Sequence, residues 1–385
     1  MKLKNKIIIL VLCLTFFSNP LFVNAQENKY KDLQVKAECA YVCDFNSGTE
    51  IFAKNESQRK PIASMTKIMI LSLFFENHKM NNIKLDEKIR VSERASSMGG
   101  SQVFLQANKD YLTEDLVKSI IIASANDATV AIAERLYGSE EKAIEAMNKK
   151  AKELKLTNTL FSNTTGLTKP TQYSTAKDVA IMLKELLKYD LYYKYSSIFL
   201  DELHHPDGQV TQLTNTNKLI KFYEGCDGGK TGFTNEAGYC LAATAKRGST
   251  RIISVIINEP DSKTRFTDCT QIFNYAFANY ASKQVLSADQ QTEYTIEIKN
   301  AKKQFYEIYP KNSVYIFSEI NKKDEIKIEF IKKGKLVAPI KANECIGDII
   351  VYVNGKKYQT VNAVIKENAE RKSLFDIVDD ITSLN

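Results

Sequence analysis

The sequence predicts an α/β protein in which an antiparallel sheet lies beside a cluster of helices, with a small all-β domain after it. Helical segments with apolar residues at helical spacing occupy the middle of the chain. Strand-like segments lie on both sides of them, and after residue 283 only short strand-like runs remain. Strands on both sides of a helical block favour an antiparallel sheet, because the chain returns to the sheet after the helices.

The first predicted elements are a β-hairpin and a buried helix. Residues 37–54 alternate between polar and apolar and contain turn residues at Asn46-Ser47-Gly48, a pattern typical of a hairpin. Residues 61–67 then lead into an apolar run over 68–75 with apolar residues on every face, which predicts a helix inside the core. Polar residues at the start of a buried helix are costly unless they are paired or functional.

More helices are predicted downstream from their caps and apolar spacing. One ends near Ser124, the next runs from Asn126 to Gly138, and Ser139 and Ser174 are predicted N-caps of two others. Strand-like runs follow, the last of them strongly apolar, at 228–233, 239–243 and 251–257. A final helix is predicted over residues 267–280.

The C-terminal part predicts an all-β domain over residues 284–366, with a turn at Asn354-Gly355. Its short strand-like runs are 293–298, 326–331, 337–340 and 349–353. Nothing in this domain resembles a catalytic site, so we expect a spacer or docking module.

Residues 367–385 end the chain with apolar residues along one side of a predicted helix. Such a helix can lie in a membrane interface, although Asp376, Asp379 and Asp380 on its other side would be repelled by anionic lipids. Packing on a partner, or fraying, is the alternative.

Residues 1–25 predict a secretory signal peptide. Lys2, Lys4 and Lys6 precede an apolar stretch, and Val23-Asn24-Ala25 has the small residues of a cleavage site. The apolar stretch is short for a retained membrane span. We therefore expect the first domain to cover residues 26–283 of a secreted protein that acts outside the cytoplasmic membrane.

Composition excludes several classes of function. Of the seven cysteines, one lies in the predicted signal, and no cysteine or histidine cluster has the spacing of a metal site. We expect free, mostly buried thiols, with one disulfide among Cys226, Cys240, Cys269 and Cys345 left open. The net charge of +7 is spread along the chain without a basic run, so no nucleic-acid partner is expected.

Three short motifs carry the candidate chemistry. Ser64 and Lys67 are three residues apart and share a helix face, and a serine with an amine in reach is an activated nucleophile. A capping serine beside a solvated lysine would explain this motif alone. However, Ser124-Ala125-Asn126 follows between two helices, and Lys230-Thr231-Gly232 opens a strand-like run. This ordered set is the S-x-x-K, S-x-N, K-T-G signature of penicillin-binding proteins and serine β-lactamases.

With these motifs, the chain resembles the D-alanyl-D-alanine carboxypeptidases, the low-molecular-mass penicillin-binding proteins, over nearly its whole mature length. The similar segments are 62–67, 124–128, 227–234, 237–239 and the trailing β domain. The resemblance implies a β-lactamase/transpeptidase-like fold with its site between sheet and helices, and no cofactor. It also implies peptidoglycan stem peptides as substrates, β-lactams as covalent inhibitors, and a location at the cell wall or membrane.

The resemblance also implies residue roles. Ser64 would attack the carbonyl between two terminal D-alanines, and Lys67 would be the general base. Ser124 and Lys230 would pass the proton to the leaving D-alanine, and Asn126 would bind the substrate amide. Lysine acts as a base only if its pKa falls from about 10.4, and burial and the charge of Lys230 would both lower it.

Further substrate-binding residues follow from the same resemblance. The backbone N–H groups of Ser64 and Phe233 would hold the oxyanion. Thr231 and Gly232 of the K-T-G motif would line the substrate site, and Arg265 would bind the terminal carboxylate. The alternative for Arg265 is a surface charge beside Lys263.

Three rival functions are to be compared with this one. A class A β-lactamase needs a glutamate in the loop before Ser174, and residues 161–175 contain no acidic residue. A DD-endopeptidase that cuts cross-links with the same residues stays open. A non-catalytic wall-binding scaffold is disfavoured, because it has no use for a buried amine beside a serine. The chain also has Gln172 where family members often carry histidine, and residues 163–167 lack the histidine commonly found there, which leaves the loop shape and the substrate range open.

Overall fold

The structure is a computed structural model, and it describes residues 33–373 and Asp376. The predicted signal peptide therefore lies outside the described residues. The helices are α1 (Lys67–Lys79), α2 (Glu93–Ser96), α3 (Thr113–Ala123), α4 (Asn126–Tyr137), α5 (Glu140–Glu153), α6 (Ala176–Leu186), α7 (Asp190–Ser196), α8 (Leu219–Phe222) and α9 (Ser262–Asn279).

The strands fall into a first group that precedes α9 and a second group that follows it. The first group is β1 (Cys39–Asp44), β2 (Glu50–Lys54), β3 (Lys88–Arg90), β4 (Asp110–Leu112), β5 (Leu200–His204), β6 (Val210–Thr214), β7 (Cys226–Thr234), β8 (Gly238–Arg247) and β9 (Thr250–Glu259). The second group is β10 (Tyr280–Leu286), β11 (Thr295–Glu297), β12 (Phe305–Glu307), β13 (Tyr309–Pro310), β14 (Val314–Glu319), β15 (Ile326–Lys332), β16 (Cys345–Val353) and β17 (Lys356–Val364).

The main sheet has five strands in the order β2-β1-β9-β8-β7, and all neighbours are antiparallel. This confirms the predicted antiparallel sheet and its flanking helices. Strand β9 is apolar on both faces because α6 packs on one side of the sheet and α9 packs on β8 and β9. Strand β7 lies at the edge, next to the turn that carries Ser64.

Helix α1 is the centre of the helical cluster, as its all-round apolar sequence predicted. Residues 67–75 are all buried, and α4, α5 and α6 pack around them. Fully burying a leucine, isoleucine or phenylalanine side chain contributes about 1.5–3 kcal/mol. The helix is therefore held firmly on every side, which fixes the position of Ser64 one turn before it.

The observed N-caps of the helices agree in part with those predicted from the sequence. The Ser139 hydroxyl caps α5, as predicted. The cap of α6 is Thr175 and not Ser174, because Ser174 pairs through its backbone with Lys60 instead. Helix α9 begins at Ser262, earlier than predicted, because the side chain of the preceding residue, Asp261, accepts a backbone N–H of its first turn.

The C-terminal residues form a second core built from strands. Four strands pair in the order β13-β17-β16-β15, and β10 pairs with β14. Apolar side chains such as Ile308, Val314, Ile349 and Ile365 are buried between them. The predicted strand over 337–340 is reduced to isolated bridges, and β10 begins at Tyr280, before the predicted start of this domain.

The predicted helix over residues 367–385 is wrong at its start. Ala369 and Arg371 make bridges with Ile340 and Ala301, because the chain there adds to the second core, in which Ala369 is fully buried. Residues 374–375 and 377–385 of the predicted helix lie outside the described residues.

The cysteines of residues 33–373 are all free thiols, and five of the six are buried. The disulfide that the sequence left open among Cys226, Cys240, Cys269 and Cys345 is therefore not formed. Among the described residues, no helix combines the length and apolar character that crossing a membrane requires.

Candidate active site

Ser64 lies in a 3₁₀ turn, Ala63–Thr66, that leads directly into α1. The Ser64 side chain is half-buried, and its Oγ accepts a hydrogen bond from Lys67 Nζ at 2.8 Å. The Lys67 amine is completely buried and also donates to the backbone oxygen of Thr165 at 2.9 Å. The amine is thus aimed at the serine by an acceptor on its other side.

Electrostatics prepare Lys67 to act as a base. Burial lowers the pKa of Lys67 well below its ordinary value, and the nearby charge of Lys230 lowers it further, against the opposing effect of Asp127. A lowered pKa favours the neutral amine, which has a lone pair for the Ser64 proton. The arrangement can therefore generate an alkoxide nucleophile without a histidine.

A second serine–lysine pair faces the first. Lys230 Nζ donates to Ser124 Oγ at 2.7 Å and to the Thr231 backbone oxygen at 3.2 Å. Ser124 ends α3 in a left-handed conformation with φ of 64°. Burial, and then the charge of Arg265, lower the pKa of Lys230 to about 7. This pair can therefore exchange a proton at neutral pH.

Asn126 begins α4 and is held by its backbone and by one side of its amide. Its backbone N–H donates to the Ser101 oxygen at 2.7 Å, which ties α4 to the loop before it. Its Nδ2 donates to the Gly99 oxygen at 2.6 Å. The buried Oδ1 has no hydrogen-bond partner among the described residues. An unpaired buried oxygen is costly, so it marks a position where a ligand N–H can bind.

The edge strand β7 comes against the Ser64 turn at Gly232. A Cβ added to Gly232 would lie 2.7 Å from the Ile62 oxygen and 3.3 Å from the Ser64 nitrogen, so only glycine allows this approach. The next residue, Phe233, is half exposed and packs its ring on Tyr239 with centroids 4.3 Å apart. The backbone of β7 therefore runs beside the Ser64 N–H.

Two further predicted residues are Thr231, on this strand, and Arg265, beside it. Thr231 Oγ1 donates to Thr216 Oγ1 at 2.8 Å. Arg265 lies in the first turn of α9, and its Nη1 donates to the backbone oxygens of Gly232 and Cys240, both at 3.2 Å. The guanidinium is buried, so the alternative of a surface charge beside Lys263 is wrong. Its Nε has no partner among the described residues.

Sequence reasoning missed that the loop around Gly166 contacts Lys67 and the Ser64 turn. Gly166 has φ of +89°, and an added Cβ would lie 1.9 Å from the Ala63 oxygen and 2.9 Å from the Ser64 nitrogen. The Gly166 N–H donates to Asn163 Oδ1 at 2.7 Å, which fixes the turn. This contact places the Thr165 carbonyl on Lys67. A backbone carbonyl has no side-chain signature, so only the glycine itself was a signal.

Two buried carboxylates support the loops around the site. Asp127 accepts the backbone N–H groups of Val103 and Leu105 at 3.0 and 3.1 Å. Glu140 Oε1 accepts the Thr164 hydroxyl at 3.0 Å. Both acids therefore hold backbone next to the motif residues and do not reach the serine themselves.

The structure brings all the predicted site residues together around β7 and the start of α1, from segments far apart in the chain. A serine with a buried low-pKa amine, a second serine–lysine pair and an adjacent edge strand define a serine hydrolase site that works by acyl transfer.

Comparison with known proteins agrees with this class. Residues 24–261 match the family model described as D-alanyl-D-alanine carboxypeptidase, and residues 280–371 match that of the penicillin-binding protein 5 C-terminal domain. The chain therefore belongs to the D-alanyl-D-alanine carboxypeptidase family. The resemblance inferred from the three motifs is confirmed.

Individual relatives extend the likeness over nearly the whole chain. D-alanyl-D-alanine carboxypeptidase DacF of Bacillus subtilis is 37% identical over 371 residues, which cover 96% of this chain and 95% of the relative. Penicillin-binding protein 5 of Haemophilus influenzae has a solved structure with a TM-score of 0.71 and 28% identity, covering 88% of this chain and 98% of that one. Penicillin-binding protein D2 of Listeria monocytogenes, solved in an ampicillin-bound form, has a TM-score of 0.57 and 29% identity, covering 64% of this chain and 99% of that one.

Proposed function

We propose that this protein is a serine-type D-Ala-D-Ala carboxypeptidase that removes the terminal D-alanine from peptidoglycan stem peptides. The observation that carries the proposal is the completely buried Lys67 amine, 2.8 Å from Ser64 Oγ. Its family and its relatives support the choice of substrate.

In the acylation step, Ser64 Oγ attacks the carbonyl between the two terminal D-alanines while Lys67 takes the serine proton. The backbone N–H groups of Ser64 and Phe233 hold the developing oxyanion, an effect worth about 2.7–4 kcal/mol for one donor in comparable enzymes. The C–N bond then breaks, and the proton that Lys67 took from the serine passes through Ser124 and Lys230 to the leaving D-alanine, which returns Lys67 to its neutral form. The contact between Ser124 and Lys230 at 2.7 Å supports this relay.

Hydrolysis of the acyl-enzyme needs only water. Lys67 is the neutral amine nearest the ester, so it takes the proton of the attacking water and returns it to Ser64 as the ester breaks. No acidic residue occurs in the loop over residues 161–175 that would activate water instead, as a class A β-lactamase requires.

Substrate binding uses the unpaired groups of the site. Asn126 Oδ1 accepts a substrate amide N–H, since it has no partner among the described residues. Thr231 and Gly232 line the channel for the terminal residue along β7. Arg265 and Lys230 supply the positive charge that attracts the terminal carboxylate.

β-Lactams acylate Ser64 in the same way, because they present a carbonyl and a carboxylate at a similar spacing. The ampicillin-bound structure of the Listeria relative supports this part of the proposal.

The experiment that tests the function is D-alanine release from a synthetic peptide that ends in D-Ala-D-Ala, together with covalent labelling by a fluorescent penicillin. We expect Ser64→Ala to abolish both, whereas Ser97→Ala, which removes an exposed serine hydroxyl, keeps both. Full labelling of the Ser64→Ala variant would overturn the assignment of the nucleophile.

We further propose a secreted protein with a signal peptide over residues 1–25, a peptidase domain over 26–283 and a β domain over 284–366. Within residues 367–385, the part that follows Arg371 contributes membrane contact. Because Ala369 and Arg371 pair within the second core, the test deletes only residues 377–385. We expect this deletion to reduce sedimentation with anionic and zwitterionic vesicles while peptide turnover stays the same. Equal sedimentation of both forms would exclude the contact.

A further inference from the structure

The C-terminal end of β7 is joined to the loop that follows Gly166 by two side-chain contacts. Thr168 Oγ1 lies 3.0 Å from Thr234 Oγ1, at the last residue of β7, and it donates to Glu236 Oε2 at 2.8 Å. The Thr234 hydroxyl also accepts the Ala237 N–H at 3.1 Å, which fixes the turn that carries Glu236. The loop and the β7–β8 turn are therefore connected across this end of the site.

The same loop also contacts the other walls of the site. Gly166 fits against the turn of the nucleophile. A Cβ added to Gly100 would lie 3.7 Å from Leu167 Cδ2 and 2.8 Å from Asn126 Nδ2, so the loop reaches the segment that holds this amide. The Glu236 carboxylate therefore lies at the rim of the groove that contains the nucleophile.

Glu236 presents an exposed negative charge at this rim. Hydrogen bonds from the Thr168 hydroxyl, from its own backbone N–H and from the Thr234 hydroxyl hold the pKa of Glu236 below its ordinary value, so the carboxylate is ionised at neutral pH. Within the part of the chain that the structure describes, no lysine or arginine contributes to this shift. The lysine of the adjoining loop, Lys169, donates instead to the Ser162 oxygen at 3.1 Å.

The proposed function sets the direction in which a substrate runs along β7. The terminal carboxylate lies at the Lys230–Thr231 end, and the scissile carbonyl lies between the N–H groups of Ser64 and Phe233. Strand β7 is an edge of the main sheet, and an extended peptide can add to such an edge through main-chain hydrogen bonds. The part of the stem before the acyl D-alanine therefore continues past Phe233 toward Thr234.

The residue before the acyl D-alanine comes level with the end of β7. Consecutive residues of an extended strand are about 3.3 Å apart, so one step along the stem reaches the position of Thr234 and its neighbour Thr168. From there a long flexible side chain that ends in an ammonium group, such as that of lysine, reaches the Glu236 carboxylate. The charges of the two groups are complementary.

We propose that Glu236 selects substrates in which the residue before the acyl D-alanine carries a side-chain ammonium group. The inference rests on the proposed function and deepens it, because it names a feature of the stem peptide that the site recognises besides the terminal D-alanines. Thr168 is a positioning residue, since its hydroxyl holds the carboxylate at Oε2. The acyl transfer at Ser64 is unchanged.

The test measures D-alanine release from two peptides that differ in one group, acetyl-L-Lys-D-Ala-D-Ala and the same peptide with its lysine Nε acetylated. An exposed ion pair changes binding by up to about fivefold. We therefore expect the native protein at low ionic strength to have a kcat/KM about threefold to fivefold higher on the free-amine peptide. The preference should shrink at an ionic strength of about 1 M, where the Debye length is about 3 Å.

Two variants separate the charge from the shape of the side chain. Glu236→Gln removes the charge and keeps an oxygen that accepts the Thr168 hydroxyl, so the two peptides should be cleaved at equal rates. Glu236→Lys should reverse the preference in favour of the acetylated peptide. The matched control is Glu50→Gln, which removes an exposed carboxylate from β2, at the opposite edge of the main sheet, and should keep the full preference. A general disturbance of the site lowers both rates alike and cancels in their ratio.

Each outcome decides the matter. Equal rates of the native protein on both peptides would overturn the inference, and so would a preference that Glu236→Gln retains. A preference that high salt leaves unchanged, or an equal loss of preference in Glu50→Gln, would also overturn it. If the native protein releases D-alanine from neither peptide while a fluorescent penicillin still labels it, the proposed carboxypeptidase function fails, and the selection by Glu236 fails with it.

Discussion

Gly166 offers the sharpest test of how the site is assembled. Its backbone has φ of +89°, and a Cβ at this position would lie 1.9 Å from the Ala63 oxygen. In Gly166→Ala this contact must lengthen to at least 3.0 Å, so one of the two backbones must retreat by about 1.1 Å. The Thr165 carbonyl that orients Lys67 lies one residue from the strained position.

The expected loss follows from that displacement. A shift of about 1 Å in catalytic geometry can cost roughly a hundredfold in rate. An alanine in a left-handed conformation costs about 1–2 kcal/mol of stability in addition. We therefore expect Gly166→Ala to lower the acylation rate constant for a fluorescent penicillin about a hundredfold, together with a lower melting temperature.

The chain contains a matched control for the conformational part of this effect. Gly208, in the turn between β5 and β6, has φ of +87°, and an added Cβ would meet nothing within 4 Å. Gly208→Ala should show the stability loss and keep its acylation rate. The assay is stopped-flow acylation with thermal unfolding in parallel. A folded Gly166→Ala protein that acylates within threefold of the native rate would refute the reasoning.

Three further predictions address protonation and charge. Lys67→Arg should fold and fail to acylate, because a guanidinium cannot be deprotonated in a protein; an active variant, measured with the same penicillin, would show that another group takes the proton. Arg265→Ala should lower cleavage of a free-acid D-Ala-D-Ala peptide about ten- to a hundredfold, because it loses one charge-assisted hydrogen bond worth about 1.5–3 kcal/mol. An equal loss on a peptide with an amidated C-terminus would show that Arg265 supports the fold and does not bind the carboxylate. Burial, and then Asp268, raise the pKa of Glu259 from 4.5 to about 8. The folded protein therefore keeps a proton that the unfolded chain loses between these values, so the free energy of unfolding should fall by up to about 1.4 kcal/mol per pH unit over this range. Urea unfolding at a series of pH values should show a smaller slope for Glu259→Gln, and an identical slope would contradict the assignment.

Much of the fold followed from local patterns. The all-round apolar character of α1 predicted its burial, and the strongly apolar run over residues 251–257 predicted the strand that became β9. The Asn126–Gly138 helix and the Ser139 cap were also predicted, because capping depends on residues close in sequence. Caps at neighbouring positions were harder, since Ser174 and Thr175 are chemically alike and a distant pairing with Lys60 decides between them.

The sequence by itself determined the chemical identity of the site. Ser64 and Lys67 meet because residues three apart share a helical turn, and the apolar helix after them requires a buried amine. The order of the three motifs indicated the family, and the family model and relatives confirm it.

Only the tertiary structure decided how that chemistry is held. The contact of the Thr165 carbonyl with Lys67, the fit of Gly166 against Ala63 and the contact of the buried Arg265 with β7 all join segments far apart in the chain. Such contacts depend on how the sheet and helices pack. Backbone carbonyls look the same at every residue, and burial depends on neighbours that no local pattern specifies.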